Sequence, residues 1–74
     1  MSNELFQWMI DEKIAKNGFN AAAILNGLQL YNEPDDEKAK ATIRLYRDWR
    51  NAGEKSKVAF EKAIKGEAVP APMP

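Results

Sequence analysis

The chain has 74 residues, 11 Lys and Arg against 11 Asp and Glu, and neither cysteine nor histidine. That length holds one domain, and a chain of this size buries only about 60% of the surface its unfolded form exposes. Without Cys or His there is no disulfide, no thiolate metal site and no imidazole base, so packing or association must supply what covalent or metal staples often supply in small domains.

The balanced charge hides a split. Residues 1–37 hold 2 lysines against 7 acids, a net of −5, and residues 38–65 hold 9 basic residues against 3 acids, a net of +6. Such a split favours head-to-tail association or an acidic helix packed on a basic one.

The first predicted helix is "SNELFQWMIDEKIAKNG", with Ser2 or Asn3 as cap, Glu4 at the positive end of the dipole and Asn17-Gly18 as the stop. Phe19, just beyond the stop, is expected to fold back on the last turn. Phe6, Ile10 and Ile14 share one side with Leu5 and Met9 beside them, while Trp8 lies about 120° or more from Ile14. This apolar arc is wider than one packing face needs, so Leu5 and Trp8 are candidates for partner contact. Acids at Glu4, Asp11 and Glu12 and the lack of a basic leader argue against a secretory signal, and a cytoplasmic location is expected.

The second predicted helix is "NAAAILNGLQLYN", capped by Asn20. Ala21, Ile24, Leu25, Leu28 and Tyr31 form a stripe and Leu30 points away from it. Gly27 costs a helix about 1 kcal/mol relative to alanine, which suggests close approach of another backbone. A helix ending at Asn26-Gly27 is the alternative, although Leu28 and Tyr31 stay in phase.

The third element starts at Pro34, with Asp35, Asp36 and Glu37 at its N-terminus. Its core arc takes Leu45 and Trp49 at the centre, with Ala39, Thr42, Ile43 and Tyr46. The wheel continues in phase through Gly53 to Ala59, Phe60, Ala63 and Ile64, which predicts one helix to about Lys65 with Gly53 as the candidate break. A helix of that length overhangs a monomer, so a homodimer is expected. The fold class is therefore all-α: a small helical bundle of two short helices and one long or kinked C-terminal helix, forming a single domain over residues 1–65. Residues 66–74, with three prolines, are expected to be a flexible, disordered tail.

Within "ATIRLYRDWRN" at residues 41–51, Arg44 and Arg47 cluster with Lys40 opposite Leu45 and Trp49, and Asp48 is placed to pair with Arg44. The aromatics and the cations of this run thus fall on different faces, unlike a single-strand nucleic-acid binder, which presents both on one face. A helix-turn-helix reading of "AAAILNGLQ" fails because the next helix opens with three acids. "NEPDDE" lacks the ligand spacing of a calcium loop. No nucleophile–base pair, phosphate loop, metal-ligand set or cofactor motif is present, so no catalytic or metal residues are nominated and an enzyme is not expected.

The leading reading is a small non-enzymatic regulator or inhibitor that occupies a surface of a larger bacterial or viral protein. Its partner-binding residues would be Leu5, Trp8, Lys40, Arg44 and Arg47. A nucleic-acid-associated accessory protein using the basic C-terminal half is the second reading, and a structural or assembly component the third. No membrane association is expected.

Overall fold

The computed structural model describes residues 3–70, and every regular element among them is an α-helix. The helices are α1 (Asn3–Asp11), α2 (Gly18–Gly27), α3 (Asp36–Asn51) and α4 (Ser56–Ile64). The all-α class is as the sequence predicts, but there are four helices where three elements were expected. Ser2, a cap candidate, lies outside the described residues, as do residues 71–74 of the expected tail.

The starts follow side-chain chemistry. Asn17 caps α2, its Oδ1 accepting from the Asn20 N–H at 2.8 Å. Asn17-Gly18 is thus a start and not a stop, and Asn20, expected as the cap, sits inside the helix with its Oδ1 accepting from the Lys16 N–H. Asp35 caps α3, accepting from the N–H groups of Glu37 and Lys38 at 3.0 and 3.2 Å. Pro34 therefore precedes the helix and does not open it.

The ends share one geometry. Beyond each helix one residue takes a positive φ: Lys13 (61°), Gln29 (59°), Gly53 (103°) and Gly66 (75°). Around each, two reverse hydrogen bonds close the last turn. They run from Lys13 and Ile14 to the carbonyls of Ile10 and Met9, and from Gln29 and Leu30 to those of Asn26 and Leu25. Gly53 and Glu54 bond to Arg50 and Trp49 in the same way, and Gly66 and Glu67 to Ala63 and Lys62. These are Schellman caps, which satisfy carbonyls the helix leaves unpaired.

The caps correct three expectations. α1 ends at Asp11, six residues before the expected Asn17. α2 ends at Gly27, so Leu30 turns into the core at 6% exposure while Tyr31 is 51% exposed. The third element breaks at Gly53, and α4 packs against α3 with Tyr46 stacked on Phe60, ring centroids 4.7 Å apart. The in-phase pattern across Gly53 arises because both helices turn their apolar faces to the same core. The overhang that motivated a dimer is thereby absent.

The core joins Leu5 and Met9 of α1, Ala21, Ile24 and Leu25 of α2, Ala39, Ile43 and Tyr46 of α3, and Ala59 and Ala63 of α4. Ala15, Leu28 and Leu30 complete it from the connections. Leu45 and Trp49, expected at the centre of the α3 arc, are only half-buried against this core. No charged or polar residue is buried among the described residues.

A left-handed position costs a side-chain-bearing residue about 1–2 kcal/mol, and glycine avoids that cost at some expense in unfolded-state entropy. Gln29→Gly is therefore expected to raise stability by about 0.5–1 kcal/mol, since exposed Gln29 makes no hydrogen bond through its side chain. Gly53→Ala is expected to lower stability by about 1 kcal/mol, although no atom stands within 4 Å of the added Cβ. Opposite shifts of the thermal midpoint confirm the caps. Shifts of one sign would show that helix propensity governs both sites.

Candidate functional site

Trp8 of α1 and the basic face of α3 meet. The guanidinium carbon of Arg44 lies 5.3 Å from the centre of the Trp8 ring, and the Lys40 ammonium lies 5.5 Å from it. Lys40 and Arg44 are four residues apart on one helix, so both reach the same neighbour. Each cation–π contact at an exposed site contributes about 0.5–1 kcal/mol. Lys40 also approaches the Glu37 carboxylate at 4.0 Å. Trp8 and Lys40 are half-buried and Arg44 is exposed. The indole N–H of Trp8 has no hydrogen-bond partner among the described residues.

The other expected contact residues fall elsewhere. Leu5 is 2% exposed and forms part of the core, so it offers no surface to a partner. The wide apolar arc of α1 is explained by this, because Leu5 and Met9 both point inward while Trp8 meets α3. Arg47 turns to its own neighbour: its Nε and Nη2 donate to Asp48 Oδ1 at 3.2 and 3.1 Å. Asp48 thus pairs with Arg47 and not with Arg44, and Arg47 is no part of the Trp8 cluster.

The second tryptophan is arranged differently. Trp49 Nε1 donates to the Glu67 carbonyl at 2.8 Å, and the Lys62 ammonium lies 4.5 Å from its ring. Its polar edge ties the segment after α4 to α3, which makes Trp49 a structural residue at the edge of the core. Arg50 closes the end of α3, its Nη1 donating to the Glu54 carbonyl at 2.7 Å.

Sequence reasoning missed Phe19, which is 88% exposed on the first turn of α2 instead of folded onto α1. The signal was present: once Ala21, Ile24, Leu25 and Leu28 are chosen as the inward stripe, residue 19 falls on the opposite side. It also missed the approach of Trp8 to Lys40 and Arg44, which no local pattern encodes.

Compared with known protein families, curated proteins and solved structures, the chain matches none. Among the described residues, no helix is long and apolar enough to cross a membrane.

Proposed function

We propose that this protein is a small non-enzymatic binding protein that regulates or inhibits a larger protein by occupying an acidic surface on it. The observation that supports this reading is the union of Trp8 with Lys40 and Arg44 in one cluster. Tryptophan and arginine are the residues most often found as energetic anchors of interfaces. Here the aromatic ring holds both cations in place, so less side-chain freedom is lost on binding than for free surface cations. A carboxylate-bearing partner can take the outward charge of Arg44 and the free indole N–H together. A single-stranded nucleic acid needs open ring faces on which bases stack. The Trp8 ring already carries two side-chain cations, and the chain has no net charge, so a protein partner is favoured.

Arg44→Glu tests this reading. One exposed cation–π contact is lost, so the melt is expected to change by about 0.5–1 kcal/mol at most. Capture of the protein partner from lysate is expected to fall, chiefly through slower association, and most strongly below 0.1 M salt, where the Debye length exceeds about 10 Å. Undiminished capture by the variant would count against the cluster as the contact surface. A parallel titration with duplex and single-stranded DNA separates the nucleic-acid reading. Binding there that falls steeply with salt would support it, and no binding at low salt would remove it.

A further inference from the structure

The segment after α4 turns at Gly66 and is then held against α3. Beyond that cap, residues 67–70 form neither helix nor turn. The Glu67 carbonyl accepts from Trp49 Nε1 at 2.8 Å, and the Lys62 ammonium lies 4.5 Å from the same ring. Glu67, Ala68 and Pro70 are exposed, while Val69 among them is half-buried. Pro70 confines Val69 to extended or polyproline backbone, a conformation whose carbonyls have no internal partners. Ala68, Val69 and Pro70 make no hydrogen bond among the described residues. Leu45, one turn before Trp49 on α3, is half-buried too, so the two form one apolar ridge. An extended, proline-bearing segment thus passes a tryptophan whose N–H takes one of its carbonyls.

We propose that the ridge of Leu45 and Trp49, with Lys62 beside it, is a binding site for extended proline-bearing segments of other proteins, and that residues 67–70 occupy it as an autoinhibitory strap. The strap itself selects the ligand class. Proline-rich segments dock on aromatic surfaces because they are already extended and lose little freedom on binding. Their open carbonyls suit a donor at the edge of an aromatic ring, and an indole supplies both the ring and the donor. The strap carries that chemistry in Val69-Pro70, and the sequence continues with a proline at every second position, Pro72 and Pro74. Its hold is slight: one side-chain hydrogen bond from Trp49 and one half-buried side chain, Val69. Segments held by so few contacts open without unfolding the rest of a domain. Being tethered, the strap competes at an effective concentration on the order of millimolar, so a partner segment must displace it. This site does not involve Trp8, Lys40 or Arg44, and stands or falls apart from the function proposed for them.

The test uses the full chain and proton–nitrogen spectra, in which the two indole N–H groups report separately. The probe is the synthetic peptide GEAVPAPMP, the sequence of residues 66–74. The double change Val69→Gly with Pro70→Gly loosens the strap without altering a helix. Its thermal midpoint is expected to stay close to the wild type. Its Trp49 indole N–H is expected to exchange with water about tenfold faster, as for loss of one hydrogen bond, while that of Trp8 is unchanged. The peptide is expected to shift the Trp49 signal and to bind the loosened protein about tenfold or more tightly than the wild type, in which the strap competes. The same peptide with alanine for every proline is expected to bind about tenfold more weakly, since it must be ordered on binding. No shift of the Trp49 signal by millimolar peptide in the loosened protein would overturn the proposal. So would equal binding to the two proteins, equal binding of the alanine peptide, or unchanged exchange at Trp49. A large fall in the midpoint of the double variant would overturn it as well, by making the strap part of the core.

Discussion

Ile43→Ala is expected to cost about 2–5 kcal/mol, the range for removing a buried aliphatic side chain. Ile43 has 0% exposure and lies at the middle of α3, in one cluster with residues from all four helices. Domains of this size hold only about 0.05–0.15 kcal/mol of stability per residue, so a loss of that size removes much of the total. The thermal midpoint is expected to fall by at least about 8 °C, at about 4–8 °C for each kcal/mol. Trp49→Ala provides the comparison. A fully buried tryptophan would cost about 3–5 kcal/mol. Trp49 is half-buried, and it gives up one hydrogen bond to Glu67 and one contact with Lys62, worth about 0.5–1.5 and 0.5–1 kcal/mol respectively, plus partial apolar burial. Urea titration of both variants is expected to show the larger loss for Ile43→Ala. The reverse order would place the centre of the core at Trp49.

Gly27→Ala carries the second large effect, and its sign is opposite to the local expectation. In an isolated helix the change stabilises by about 1 kcal/mol. Here an added Cβ would stand 2.5–2.8 Å from three ring atoms of Phe60. That ring is held from its other neighbour, Tyr46, by a stack at 4.7 Å with an interplanar angle of 13°. It cannot move away from Gly27 without disturbing that stack, and overpacking of this kind costs about 1–3 kcal/mol. Net destabilisation is therefore expected. The double change Gly27→Ala with Phe60→Leu, which removes the clashing ring edge, is expected to destabilise by less than the sum of its single changes. A stabilising single change, or strict additivity in the double-mutant cycle, would show that α2 and α4 do not meet at this point. The sequence did suggest that something approaches Gly27 closely. What approaches is a side-chain ring and not a backbone, and its source lies in a helix that only the break at Gly53 brings round.

Two kinds of information account for what was and was not legible. Capping chemistry and helical periodicity are local, so they can be read from neighbouring letters. The acids ahead of α3 and the inward stripe Ala21, Ile24, Leu25 and Leu28 were legible in this way, as was the candidate stop at Gly53. The ends of α1 and α2 were not, because their left-handed positions are held by Lys13 and Gln29, residues with no preference for that conformation. Each is followed by an apolar residue, Ile14 or Leu30, that packs on or within the core only if the helix stops there. The gain from burying that residue outweighs the backbone cost of about 1–2 kcal/mol.

The sequence by itself determined the all-α class, the inward faces of the helices and the absence of thiol and imidazole chemistry. Those follow from residue type and from spacings within a few turns. The tertiary structure decided where three of the helices end, which partly buried aromatic sits beneath which cation, and which face of α2 stays open. The physical reason is distance along the chain. Trp8 reaches Lys40 and Arg44 across two intervening connections, and Gly27 likewise meets Phe60 across two. Contacts of that kind depend on how helices stack, and the energy that selects them is apolar burial shared among all four helices, with no counterpart in any local pattern.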